Sequence, residues 1–132
     1  MFEILGKEKP YQASEDYLQK AVVRLIWGQY PKVLFIHPPN GGFRNGREAS
    51  KFKLMGVRAG VSDLIFLEPR NNYTGLIIEL KTKKTKITES QIKFLNQAYD
   101  RGFLCVVCYN FESVQETLKE YFKGEQRKLF YK

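Results

Sequence analysis

Histidine, cysteine and tryptophan are scarce in this sequence of 132 residues, which contains one, two and one of them. Two cysteines do not form a disulfide framework, so we expect the protein to occupy a reducing compartment. Their arrangement, Cys105-Val-Val-Cys108, has the spacing of half a zinc site, but the sequence offers no second pair. Residues three apart on a strand point to opposite faces, so we expect both thiols in the core.

Long hydrophobic runs are absent as well. The apolar runs, such as the one from Phe103 to Cys108, fall far short of the roughly 18 residues of a membrane-spanning helix. The first residues include acids and lack an apolar stretch with a cleavage site, so no secretory signal is expected. A chain with 43% hydrophobic residues can still bury a core, and its length suits a single domain over residues 1–132. We therefore expect a soluble cytoplasmic protein.

The composition is strongly basic. Lys and Arg together number 22 against 14 Asp and Glu, which gives a net charge of +8. The stretch from Lys32 to Lys93 holds twelve basic and five acidic residues, and thus most of the surplus. Such an excess favours polyanionic partners, because neutralising phosphates releases counterions. Charge alone also fits an ordinary soluble protein, so the assignment depends on the residues embedded in the basic stretch.

Hydrophobic periodicity and turn residues predict an α/β protein with the order α-β-α-β-β-α-β-α and a mixed sheet flanked by helices. Ser14 and Thr88 are predicted helix N-caps, and Thr88 opens the capping box Thr-Glu-Ser-Gln. Ser113 is predicted to open the last helix in the same way. Strands are predicted at 32–37, 61–67, 75–81 and 103–109, and the second helix at 47–55.

The strands at 61–67 and 75–81 flank a segment rich in turn formers and are predicted to form an antiparallel hairpin centred near Asn71. Cross-strand partners then have residue numbers that sum to about 142, which places Asp63 opposite Glu79 on one sheet face. Lys81 joins Glu79 on that face, because side chains alternate along a strand. Like charges opposed on a sheet are unfavourable without a compensating cation, and both acids lie within hydrophobic segments.

Oxygen ligands of this kind suit Mg²⁺, which usually keeps several waters beside one or two carboxylates. Asp63, Glu79 and the backbone carbonyl of Leu80 could supply such a shell. Lys81 could steady an attacking water or the charge that develops at phosphorus. The alternative is a charged trio on a solvated sheet face. Glu15 falls on the edge of the apolar face of the first helix, an unusual place for a carboxylate without a partner.

These residues, in this order, resemble the PD-(D/E)XK nuclease superfamily, most closely its virus-type replication-repair nuclease (VRR-Nuc) branch. Ser62 departs from that branch, which usually has proline before the aspartate. The resemblance extends from about Glu15 to Tyr109 and is carried by Gly60-Val61-Ser62-Asp63-Leu64, Glu79-Leu80-Lys81 and Thr88-Glu89-Ser90-Gln91. Three upstream segments are also similar to the branch: Pro39-Asn40-Gly41-Gly42, Arg47-Glu48-Ala49 and Met55-Gly56-Val57.

The resemblance implies a restriction-endonuclease-like core and a nuclease that uses Mg²⁺, with Mn²⁺ as a substitute. It implies that Asp63 and Glu79 bind the metal and that Lys81 is the catalytic lysine. Gln91 would be an orienting residue, and Glu15 would reach the site, in part through metal-bound water. The small stand-alone members are encoded largely by phages, which implies a homodimer that resolves four-way (Holliday) junctions in a bacterial or phage-infected cell. Flap- or end-directed cleavage and a non-catalytic nucleic-acid-binding module are the alternatives.

Three of these residues have a second interpretation. Gln91 is the N3 residue of a capping box, and its capping and site roles can coexist. Glu15 could be an ordinary exposed helix residue. His37 is expected to make a structural hydrogen bond at its strand end, and otherwise to contact DNA or the surroundings of the metal.

Basic and polar residues in the middle of the chain are expected to contact the DNA backbone. The lysines that follow the predicted site could instead form a simple solvated edge. The predicted contact residues are Asn40, Arg44, Arg47, Lys51, Lys53, Arg58, Lys83, Lys84 and Lys86.

Overall fold

The computed structural model describes residues 1–39 and 46–124, which contain a five-stranded mixed sheet. β1, β5 and β4 run parallel, whereas β3 is antiparallel to both β4 and β2. The order across the sheet is β1-β5-β4-β3-β2. The α/β class predicted from the sequence is confirmed. The strands are β1 (Glu3–Leu5), β2 (Phe35–Ile36), β3 (Leu64–Phe66), β4 (Gly75–Leu80) and β5 (Phe103–Cys108).

Helices pack on both faces of the sheet and divide the core into two clusters. α1 and α4 pack on one face through Leu18 and Leu118, and α3 packs on the other through Leu95. Cys108 belongs to the first cluster and Cys105 to the second, so the prediction of two core thiols on opposite faces is confirmed. The helices are α1 (Glu15–Gln29), α2 (Gly46–Leu54), α3 (Glu89–Asp100) and α4 (Phe111–Phe122).

The structure departs from the predicted elements in three places. β1 lies outside the predicted order, because three residues carry too little periodicity and the strand depends on parallel pairing with β5. Two predicted strands are shortened: the one at 32–37 is reduced to β2, and the one at 61–67 is reduced to β3. The prediction that Ser113 opens the last helix is wrong, because α4 begins earlier, with Asn110 as its N-cap. The Asn110 side chain accepts from the Ser113 N–H at 2.8 Å, and the Ser113 hydroxyl donates to the Asn110 carbonyl at 2.9 Å.

The hairpin of β3 and β4 has the predicted register. Leu64 pairs with Ile78 and Phe66 pairs with Leu76, so the partner numbers sum to 142. One further step of this register places Asp63 beside Glu79, just before β3 begins. Strand pairing therefore places the carboxyl groups of Asp63 and Glu79 at the same end of the hairpin.

The segment before Asp63 passes very close to the first turn of α3. Gly60 has a φ of 80°, and a Cβ at this position would lie 2.4 Å from the carbonyl carbon and oxygen of Ser90. Only glycine combines this left-handed backbone with so close a contact. Gly60 thus sets the distance between the segment that carries Asp63 and the helix that carries Gln91.

We predict that Gly60→Ala lowers the free energy of unfolding by more than about 2 kcal/mol, because it adds a backbone clash to a left-handed residue. Urea denaturation followed by circular dichroism measures the change. Gly28→Ala is the matched control: Gly28 lies within α1, and nothing is within 4 Å of an added Cβ. Alanine in a helix should be neutral or stabilising there. Equal effects of the two substitutions would contradict the close-contact explanation.

Candidate active site

Asp63 and Glu79 lie side by side at the end of the β3–β4 hairpin. The Asp63 Oδ2 accepts a hydrogen bond from the Leu80 N–H at 2.7 Å. Glu79 is only 3% exposed, and its Oε2 accepts from the Gln91 Nε2 at 3.1 Å. Its Oε1 is buried and has no hydrogen-bond partner among the described residues. Backbone from β4 thus holds one carboxylate, and α3 holds the other.

Burial raises the pKa of both carboxyl groups. For Asp63, burial is the largest cause, and the hydrogen bond from the Leu80 N–H is the main opposing contribution. For Glu79, burial and then the charge of Asp63 raise the pKa to about 9. Two such neighbours titrate as a pair. Between an ordinary carboxyl pKa and about 9, and without a bound cation, the folded pair therefore holds a proton that exposed carboxyl groups would release.

Lys81 lies beside this pair and is only 6% exposed. Its positive charge lowers the pKa of Asp63, Glu79 and Glu15. The Lys81 N–H donates to the Cys108 carbonyl at 2.9 Å, which ties this residue to the end of β5. The alternative of a charged trio on a solvated sheet face is wrong, because Glu79 and Lys81 are both buried.

Gln91 takes part in the capping box with Thr88 and also contacts Glu79, so its two interpretations from the sequence coexist. The Gln91 N–H donates to the Thr88 Oγ1 at 3.2 Å, and the Gln91 Oε1 accepts from the Thr88 N–H at 2.9 Å, which completes the capping box. The other end of the same amide, Nε2, donates to Glu79. Capping therefore fixes the orientation of the amide that holds Glu79.

A cavity of about 260 Å³ opens beside the carboxylates. Glu15 reaches it as the first residue of α1, directly after the Ser14 N-cap. Burial raises the pKa of Glu15, and the charge of Lys81 opposes that shift. Glu15 is thus exposed, as the alternative expects, and it also lines the cavity. The cavity brings together five of the predicted site residues, namely Glu15, Asp63, Glu79, Leu80 and Gln91.

Asp16, Gln19 and His37 also line this cavity. Gln19 was not among the predicted site residues, although its spacing of four from Glu15 places both on one side of a helix. The His37 Nδ1 lies 2.6 Å from the Asp63 carbonyl oxygen. Because a carbonyl oxygen only accepts, Nδ1 is the donor in this contact. His37 therefore makes the structural hydrogen bond expected of it, from a position in the cavity wall.

The donor set suits a hard cation such as Mg²⁺. The two carboxylates and the Leu80 carbonyl are all oxygen ligands, and the Glu79 Oε1 is a buried acceptor without a donor. Within residues 1–39 and 46–124, no three His, Cys, Asp or Glu side chains are arranged to hold a metal together. An ion at this place would keep several waters, which is usual for Mg²⁺. Its charge would also offset the repulsion between the carboxylates.

A family model of the VRR-NUC domain matches residues 14–112, the stretch that contains the whole cavity. The chain belongs to the VRR-NUC family. The solved structure of a "VRR_NUC domain protein" is 30% identical to it, over 86% of this chain and 91% of that one, with a TM-score of 0.74. No curated protein matches the chain. A VRR-NUC domain is a nuclease-type domain, and DNA is its implied substrate.

No helix in the described part of this VRR-NUC domain has the length and apolar character needed to cross a membrane. Most of the predicted DNA-contacting residues are exposed, whereas Asn40 and Arg44 lie outside the described residues. The Arg58 guanidinium lies 5.4 Å from the centre of the Phe94 ring of α3, a cation–π contact that holds it on the surface. The other exposed residues of the set are Arg47, Lys51, Lys53, Lys83, Lys84 and Lys86.

Lys83 and Lys84 occupy the two central positions of a tight turn that follows Lys81. The Thr85 N–H donates to the Thr82 carbonyl at 2.9 Å and closes the turn. The φ angles are 52° at Lys83 and 58° at Lys84. Left-handed values at both positions are typical of a type I′ turn, which favours Asn and Gly. Two lysines in this conformation are strained, and strain of this kind concentrates at functional sites.

We predict that the metal-free VRR-NUC domain loses stability as the pH rises from 4.5, the ordinary pKa of Glu79, to its folded value of about 9. Between these values the folded state binds more protons than the unfolded state. The free energy of unfolding should then fall by up to about 1.4 kcal/mol per pH unit for one shared proton. Urea denaturation in EDTA across this range measures the slope. Glu79→Gln should reduce it, and an equally steep slope in that variant would contradict the assignment.

We predict that Lys84→Gly stabilises the domain by about 1 kcal/mol, because glycine adopts a positive φ without strain. The same change should weaken DNA binding and reduce its salt dependence, since one phosphate contact is lost. Thermal denaturation and fluorescence anisotropy at several salt concentrations measure the two effects. Lys86→Gly removes the same charge outside the strained positions, and should weaken binding without stabilising the fold. Destabilisation by Lys84→Gly would argue against the strained turn.

Proposed function

We propose that this chain is a metal-dependent DNA endonuclease that hydrolyses phosphodiester bonds with Mg²⁺, or with Mn²⁺ in its place. The observation that carries the proposal is the pair of the half-buried Asp63 and the buried Glu79 at the wall of a cavity, with Lys81 buried two residues after Glu79. Two carboxyl groups at this depth are unfavourable unless they are paired or bind a cation. Membership in a nuclease family supports the same activity.

Asp63, Glu79 and the Leu80 carbonyl are the groups that would hold the ion. When bound, such an ion supplies a bound water of lowered pKa and offsets charge on the phosphate oxygens. The Leu80 N–H orients the Asp63 carboxylate, and the Gln91 amide orients Glu79. Glu15, at the start of α1, would bind the hydration shell of the ion through water.

Lys81 is the group we place at the reacting atoms. Its positive charge acts on both carboxyl groups, and its burial limits the positions that its side chain can adopt. From there it can hold the attacking water and stabilise the negative charge that develops at phosphorus. The turn that presents Lys83 and Lys84 begins at the next residue, so phosphates held by that turn would lie beside the cavity.

We infer further that the DNA is branched and that two copies of the chain act together on a four-way junction. This finer assignment is supported by the family resemblance of the chain. A two-fold homodimer carries two symmetry-related sites, which suits paired cuts in a two-fold symmetric junction. Flap- or end-directed cleavage is the competing assignment within the same chemistry.

Incubation of the purified protein with four-way junction, flap, duplex and single-stranded DNA, with and without Mg²⁺, tests both levels of the proposal. We expect symmetric nicks in the junction alone, and only with the ion. Cleavage of flaps or ends would replace the junction assignment and retain the nuclease. Salt-sensitive binding without cleavage in Mg²⁺ or Mn²⁺ would instead identify a non-catalytic binding module.

We predict that Asp63→Asn and Lys81→Ala each reduce the cleavage rate by at least about 100-fold, because each removes a group that acts on the reacting atoms. Binding of the same DNA, measured by anisotropy, should persist in both variants. Lys119→Ala is the control, since Lys119 is exposed on α4 and lies outside the cavity. Its rate should equal that of the wild type. Wild-type cleavage by either site variant would refute the mechanism.

A further inference from the structure

Two tight turns that carry lysines are tied to each other near the cavity. One is the turn at 82–85, which presents two of the predicted DNA-contacting lysines. The other spans residues 6–9, directly after β1. It exposes Lys7 and Lys9, with the single acid Glu8 between them. Neither lysine of this second turn is among the residues that the sequence predicts to contact DNA.

Hydrogen bonds hold the turn at 6–9 in one position. The Lys9 N–H donates to the Gly6 carbonyl at 3.1 Å and closes the turn. The Nδ2 of the buried Asn110 donates to the Lys9 carbonyl at 2.9 Å and to the Gly6 carbonyl at 3.4 Å. Gly6 has a φ of 77°, and a Cβ there would lie 2.7 Å from the Asn110 side chain. The backbone that carries Lys7 is thus fixed against the start of α4.

Tyr109 and Tyr11 join the two turns. The Tyr109 hydroxyl donates to the Thr85 carbonyl at 2.6 Å, and the Lys7 ammonium lies 5.7 Å from the centre of the Tyr109 ring. The Tyr11 N–H donates to the Tyr109 carbonyl at 2.8 Å, and the Tyr11 carbonyl accepts from the Lys83 N–H at 3.0 Å. One buried ring therefore contacts a lysine of one turn and the backbone of the other.

The joined turns concentrate positive charge. Four exposed lysines project from them, and Glu8 is the only acid in either turn. Like charges held together by fixed backbone repel one another, and a bound anion removes that repulsion. The four lysines are Lys7, Lys9, Lys83 and Lys84.

The surroundings of the four lysines select DNA phosphates as the ligand. Leu80 lines the cavity, and Lys81 alone separates it from the turn at 82–85. A strand with one phosphate in the cavity would therefore bring its neighbouring phosphates to the turns. Tyr109 is fully buried, so its ring offers no face on which a base could stack. Lysines bind phosphate as point charges, and phosphate contacts carry no sequence information.

We propose that the turns at 6–9 and 82–85 form one binding site for the DNA phosphates next to the cleaved bond, and that Lys7 is a contact residue of this site. The position of the site relative to the cleaved bond rests on the proposed function. The binding of phosphates by Lys7 does not. Because the site contacts only the backbone, it should bind without sequence preference.

Binding of a fluorescently labelled four-way junction in EDTA, measured by anisotropy, tests the contact. Lys7→Met still covers the Tyr109 ring but lacks the charge. We expect its affinity to fall about fivefold at low salt, and the slope of log K against log salt to decrease by about 0.9. Lys7→Arg keeps the charge and the ring contact, and should bind nearly as the wild type does. Wild-type affinity and salt dependence in Lys7→Met would overturn the site.

Lys119→Met is the charge-matched control, because Lys119 is exposed on α4 and belongs to neither turn. It changes the net charge of the protein as much as Lys7→Met does. We expect it to change the affinity by less than about twofold. An equal loss of affinity in both variants would mean that only the net charge acts, and would overturn the site.

Single methylphosphonate substitutions, each of which removes the charge of one DNA phosphate, locate the contact. We expect the wild type to lose affinity at phosphates next to the cleaved bond, and Lys7→Met to lose less at one of them, because its lysine partner is already absent. Equal losses in the two proteins at all of these phosphates would overturn the inference and leave the nuclease assignment intact. A wild type that binds the junction without cleaving it in Mg²⁺ would refute the proposed function, and Lys7→Met would still decide the phosphate contact.

Discussion

The repulsion between two neighbouring carboxyl groups governs how the VRR-NUC domain is arranged around them. Strand register brings Asp63 and Glu79 together, and burial makes their charges unfavourable. Three surrounding groups reduce that cost: the Leu80 N–H at the end of β4, the charge of Lys81 directly after it, and the Gln91 amide of α3. Without these contacts the pair would only destabilise the domain.

The sheet allows two helices to reach this pair from opposite sides. α1 and α3 pack on different faces, yet both begin at the cavity, with Glu15 in the first position of α1 and Gln91 in the first turn of α3. A helix N-terminus carries a partial positive charge. The partially positive N-termini of both helices therefore lie at an anionic site. This adds to the local contacts made by individual side chains.

Features with a local signal could be predicted from the sequence, and those that depend on distant contacts could not. The turn formers around Asn71 predicted the hairpin register, and four consecutive residues from Thr88 predicted a capping box. The cap of α4 is different: Asn110 is favoured because its Nδ2 also donates to the Lys9 carbonyl at 2.9 Å, a contact between residues 101 positions apart. Within the site, the carboxylates belonged to a recognisable pattern. The burial of the Gln19 amide depends on tertiary packing.

The two bonds made by the Gln91 side chain have a consequence for the dynamics of the domain. Forming the first turn is the unfavourable step of helix formation, and helix ends open locally far more often than a domain unfolds. When the first turn of α3 opens, the Gln91 amide loses its fixed orientation and Glu79 loses its partner. Local opening at Thr88 thus also releases Glu79 from α3. The hydrogen bond between Gln91 and Glu79 exists only in those molecules in which this single turn is closed.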